Sequence, residues 1–142
     1  MAKIRAISGN GGGGGETATT LWTNPSPSSA FAEQTVNLTL NGQAESMRNY
    51  DVLRIYFKYT YTSSDIIHVD IPVDDFISVG DSNTLSVSKY MMGARTQSYY
   101  YVRIVLYASD TSILVSTCAR RNSSGQDNSY VIPTQIEGIK FS

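Results

Sequence analysis

The chain has 142 residues, a formal net charge of −1, and 16% charged against 41% hydrophobic side chains. That length suits one domain with a proper core, and the charged fraction lies below the ~25% usual for soluble proteins, as in particle-bound or extracellular β proteins. No basic tract exceeds Arg120-Arg121, no apolar run approaches the ~18 residues of a membrane helix, and one cysteine excludes an internal disulfide, so nucleic-acid binding, membrane insertion and a disulfide scaffold are not expected.

The first eight residues, Met1–Ser8, alternate Ile4 and Ala6 with Lys3 and Arg5, while Ile7 falls out of step. They read as an anchor, with Lys3, Ile4, Arg5 and Ile7 adding as a short strand to a partner's sheet edge. They hold no signal-peptide apolar core, so export by a secretory route is not expected. Gly9–Gly15 is a glycine-rich tether, unless it is a linker introduced by cloning. Its seven residues span about 15 Å on average as a flexible coil. The globular domain is then 16–142.

In Leu21-Trp22-Thr23-Asn24-Pro25-Ser26-Pro27, followed by Phe31, the prolines block helix and hold the backbone extended. Trp22 and Phe31 are predicted to turn back as a plug on one end of the core; a carbohydrate-stacking role for Trp22 is the alternative. From there the period is two. Val36, Leu38 and Leu40 share one face, Leu53, Ile55, Phe57 and Tyr59 another, and Ile67, Val69 and Ile71 a third. Asn41-Gly42 and Ser63-Ser64-Asp65 are turns, and Ala44–Tyr50 is the best place for a single helical turn. Leu85 and Val87 read as a further strand, and Met91–Gln97 as an exposed polar loop carrying Arg95. Ile113 and Val115 precede Cys118, read as a small buried hydrophobe, and the chain closes on Tyr130–Ile132 and Ile136–Phe141. Roughly seven to nine short strands with no convincing helical stripe predict an all-β fold, an antiparallel β-sandwich or jelly-roll-like single domain.

The segment Tyr99–Tyr107 places Tyr99, Tyr101, Arg103 and Tyr107 opposite Tyr100, Val102, Ile104 and Leu106. If the second set makes the core, a tyrosine stripe with Arg103 faces out. With Arg95 it forms a candidate subunit interface, a sheet-surface pairing, or a glycan or receptor contact. Catalytic constellations are thin. Asp74-Asp75 and Asp65/Asp70 are the available carboxylate pairs, and adjacent strand residues point apart. Asp81-Ser82-Asn83 and Asp127-Asn128 read as turns rather than calcium loops, and His68 has no second ligand at zinc spacing. No catalytic residue, metal or cofactor is expected.

The Leu-Trp-Thr-Asn-Pro-Ser-Pro segment, running on through Phe31-Ala32-Glu33-Gln34-Thr35-Val36, resembles the opening of C-terminal β-sandwich domains on tail-fibre and minor structural proteins of bacteriophages and prophages. Tyr50-Asp51-Val52-Leu53, Asp70-Ile71-Pro72-Val73 and Val131-Ile132-Pro133-Thr134-Gln135-Ile136-Glu137-Gly138 extend the resemblance to about Leu21–Lys140, with Glu137 where those domains more often carry Tyr. The resemblance implies a non-enzymatic virion structural protein, assembled in the host cytoplasm and displayed at the particle surface on a tail fibre or fibre-like head domain. Host-surface adhesion is the implied task, with capsid or tail decoration as the alternative and a small glycan hydrolase as a remote one. The implied partners are other virion proteins through the N-terminal segment, a homotrimer, and a host cell-surface glycan.

Overall fold

A computed structural model of the chain describes residues 15–81, 90–96, 99–121 and 125–142, with side chains left out at 78–81, 90–92 and 94–96. The proposed anchor, most of the tether and the strand expected around Leu85 and Val87 lie outside the described residues.

The architecture is the expected all-β sandwich. One sheet has the order β1 (Glu16–Thr23), β11 (Tyr130–Phe141), β5 (Val52–Thr60), β6 (Ile67–Pro72), all antiparallel. The other runs β10 (Ala119–Arg121), β8 (Tyr99–Ser109), β9 (Ser112–Val115), β2 (Gln34–Asn37), with β7 (Tyr90–Thr96) also on β8. A two-stranded ribbon, β3 (Thr39–Leu40) and β4 (Gln43–Ala44), turns at Asn41-Gly42, whose φ values of 52° and 79° are those a two-residue hairpin requires. Inward residues of both sheets, Leu21, Val36, Leu53, Ile55, Ile113 and Ile136 among them, form one core, in which Cys118 is also buried.

A 3-10 turn at Met47–Asn49 falls inside the segment expected to hold a helical turn, and buries Met47. Two elements depart from the expectation. Val73–Asp81 is an α-helix, α1, set on the core by Val73 and Phe76 with Ile77 beside them. Its apolar stripe spans little more than one turn, too short to show as periodicity, while Asp74 and Asp75 occupy the first turn, where carboxylates are favoured. The loop expected over Met91–Gln97 is largely strand β7, because β8 supplies a continuous register for it, from Tyr90 opposite Val105 to Thr96 opposite Tyr99.

The joints of the sandwich use residues from the segments that carry the resemblance. Pro133 offers no N–H inside a central strand, and a bulge follows it. Asn24 closes that gap: its Nδ2 donates to Pro133 O at 2.8 Å and its main-chain N–H to Thr134 O at 2.9 Å, while its Oδ1 accepts from Ser26 N. Asp51 ties two further segments, donating to Ile139 O and accepting on its carboxylate from Phe141 N in β11, and accepting on its carbonyl from Val73 N. Gly138 lets the Tyr50 ring lie on the sheet, since a Cβ there would stand 2.5 Å from a ring carbon.

Candidate functional site

The face of β8 is inverted from the expectation. Tyr101 and Arg103 are 6% and 0% exposed and point into the core, whereas Tyr100 on the opposite face is 43% exposed. Arg103 is therefore no surface contact, and Tyr101 lies stacked on Tyr130 with ring centroids 3.6 Å apart. Tyr107 packs against the core and donates to Asp110 Oδ1 at 2.6 Å. Of the predicted stripe only Tyr99 remains at the surface, 36% exposed, with the Arg120 guanidinium 4.7 Å above its ring. Arg95 lies in β7 opposite Tyr100; its side chain, like Lys3, Ile4, Arg5 and Ile7, is outside the described residues.

Arginine is rarely buried without a partner, so the inversion needs a physical cause. Main-chain carbonyls supply it. Arg103 Nε donates to Val131 O at 2.7 Å, Nη1 to Ser116 O at 2.6 Å, and Nη2 to Phe31 O at 2.6 Å and Asn128 O at 3.2 Å. Four carbonyls from segments remote in sequence meet one planar fork. Burial pushes its pKa down to about 10, which leaves it charged at neutral pH. Val131 presents its carbonyl from a φ of 52°, a strained conformation for a β-branched residue. Desolvation raises the Cys118 thiol to about 11 despite the nearby Arg103 charge.

The same arginine positions the Trp22 loop. Its guanidinium lies 5.2 Å from the Phe31 ring centroid, and Phe31 meets Trp22 edge-on with centroids 6.1 Å apart. This is the aromatic plug expected at the end of the sandwich, with Phe31 buried and Trp22 half-buried. Between the loop and β2 runs a groove of about 490 Å³, lined by Trp22, Asn24–Ser26, Ala30, Phe31, Gln34–Asn37 and Thr39. Among the described residues its lining holds rings, hydroxyls, amides and main chain, and no ionisable side chain. Such a groove can stack and hydrogen-bond a neutral partner, but offers no general acid or base.

The carboxylates weighed as catalytic candidates do not meet there. Asp74 and Asp75 are exposed on the first turn of α1, and Asp70 accepts two hydrogen bonds from Arg54. Asp127 and Asn128 are spent on a turn and on Cys118 N, and among the described residues no three His, Cys, Asp or Glu side chains gather as metal ligands. Also among the described residues, no helix is long and apolar enough to cross a membrane.

The sequence pattern did not single out the groove, because its two walls come from the edges of different sheets. The available signal was the neutral, exposed set Gln34, Thr35 and Asn37 on a short strand. No family model, curated protein or solved structure matches the chain.

Proposed function

We propose that the chain is a non-enzymatic structural protein of a bacteriophage particle, displayed at its surface for adhesion to the host. One observation carries the reading: the segments that resemble phage fibre domains are the ones that meet in space. Asn24 of the Trp-Thr-Asn-Pro segment bonds Pro133 and Thr134 of the closing segment, and Asp51 bonds both Val73 and Ile139. Residues that recur at joints specify a shared sandwich, while surfaces are left free to vary with the host. Tyr99 and Tyr100 at the surface of β8, with Arg120 over Tyr99, supply the aromatic and cationic contact such adhesion uses.

The test is binding of the labelled full chain to host cells and purified surface polysaccharide. A Tyr99→Ala/Tyr100→Ala double variant is expected to lose binding several-fold while its circular dichroism stays native. A chain that binds no host cell but localises to the capsid shell by immunogold microscopy would instead be a decoration protein.

A further inference from the structure

We infer that the open edge of β2 is an assembly site, and that it takes residues 3–7 of a second copy of this chain as an added strand. The inference rests on the reading of a surface domain present in several copies.

The hydrogen-bond parity of β2 is set at its end. Leu38 N donates to Thr111 O at 2.9 Å, and the register pairs Gln34 with Val115, Thr35 with Leu114, Val36 with Ile113 and Asn37 with Ser112. Antiparallel partners alternate between bonded and non-bonded pairs. Leu38 N–H, Val36 and Gln34 therefore point toward β9, the Leu38 carbonyl accepting from Glu45 N, and the N–H and C=O groups of Thr35 and Asn37 point away from β9. These four groups face the groove beside the Trp22 loop and have no partner among the described residues.

Edges are normally protected. The β1 edge carries a bulge between Thr20 and Trp22, the β6 edge carries His68, Asp70 and Pro72, the β7 edge carries Arg95, and β10 is followed back by Gly125 and Gln126. The described β2 edge has no charge, proline or bulge across its four registered pairs. The groove also has room on its main chain for an extended partner: Asn24 Nδ2 and Gln34 Nε2 are already spent on Pro133 O and Ala32 O, and beside the lining hydroxyls and the Asn37 amide it offers the main-chain groups of Thr35 and Asn37. Trp22 and Phe31 wall the core side of the added position.

Residues 3–6 have the matching pattern: Ile4 and Ala6 share one face for that aromatic wall, Lys3 and Arg5 the other for solvent with Ile7 out of step on it, and no proline interrupts. Reach selects a second copy. The chain enters β1 beside Ser142, where Gly15 O accepts from Ser142 N, and the groove lies at the other end of β1. Glu16 to Thr23 is about 23 Å of strand. The tether from Ser8 to Gly15 covers about 23–25 Å only at full extension, against a mean of about 15 Å. A second copy is not bound to that separation of about 23 Å, because its Gly15 can stand nearer the groove. The contact is head-to-tail, so it yields a ring if the rotation closes, which is how a trimer would arise.

Sedimentation velocity on the full chain tests this, alongside Asn37→Pro, Thr35→Pro and Ile4→Asp. Each proline removes an outward N–H that has no partner among the described residues, and Ile4 lies outside the described residues. The wild type is expected to sediment as an oligomer, and all three variants as monomers with native circular dichroism. Trp22, the only tryptophan, should shift its emission to shorter wavelength as the wild type associates, and not in the variants. A monomeric wild type, or an assembly that survives both Ile4→Asp and whichever proline variant folds, overturns the proposal. So does a monomer whose Trp22 emission moves only on titration with a neutral oligosaccharide. Host-cell binding, measured on the same monomeric variants, reports separately on adhesion.

Discussion

Arg54 and Arg103 occupy opposite sheets and show two ways of holding a guanidinium. Arg54 stands on the outer face of the first sheet, bonded to both Asp70 oxygens at 2.7 and 2.9 Å and to Glu16 at 2.8 Å. The strands that carry these residues, β1, β5 and β6, are already joined by the backbone ladder, β1 to β5 through β11, so the ion pairs decorate an existing sheet. Arg103 lies under the second sheet with no carboxylate paired to it among the described residues, and it joins four carbonyls that no ladder connects. The surface arginine has charged partners and little at stake. The buried one holds loops together, and through Phe31 it sets the wall of the groove.

The largest test of that contrast is Arg103→Met. Removing the fork leaves buried carbonyls without donors, and the expected loss is about 3–5 kcal/mol by urea unfolding. Arg103→Lys should recover only a small part, because an ammonium cannot span the same four acceptors. A loss under about 1 kcal/mol for Arg103→Met would break the comparison. The same variant should open the Cys118 region. In the native chain the buried thiol, raised to about 11, is expected to resist a thiol-specific reagent at neutral pH, and in Arg103→Met to react much faster.

Asn128→Ala probes the hub from its edge. Its Oδ1 accepts from Cys118 N at 2.9 Å, and losing that acceptor should cost about 1–2 kcal/mol. Arg54→Ala is expected to cost no more than about 1 kcal/mol, and less at high salt. The smallest effect is a pH dependence. The Arg54 hydrogen bonds, with its charge, hold the Asp70 carboxyl below the usual range. The folded pKa is thus below the unfolded value, so this contribution is present above about pH 3.9 and is lost as pH falls through the folded pKa. The stability gap between wild type and Arg54→Ala should therefore narrow on acidification below about pH 4. A gap that widens there would reverse the assignment.

Much of the sandwich was legible because strand alternation is local. Leu53, Ile55 and Phe57 alternate inward as read, Asn41-Gly42 makes the hairpin turn, and Trp22 with Phe31 forms the plug. The helix α1 was not, since Val73, Phe76 and Ile77 make a stripe too short to be seen against a β background. The β8 face failed for a different reason. Both alternating sets on that strand mix aromatic and aliphatic residues, and the one arginine argued for an outward face. Only the carbonyls of Phe31, Ser116, Asn128 and Val131, which chain distance hides, make its burial affordable.

The order of residues by itself determined the sandwich class, its turns, the stiff Trp-Thr-Asn-Pro-Ser-Pro connection and the burial of Cys118, because steric and hydrophobic patterning act over a few residues. Tertiary structure alone decided which face of β8 is core, that Asn24 bridges the break at Pro133, and that β2 lies beside a groove with the outward main-chain groups of Thr35 and Asn37 unpaired among the described residues. Each of these depends on main-chain groups, and every residue but proline carries the same two. Their partners are set only when distant strands close on one another.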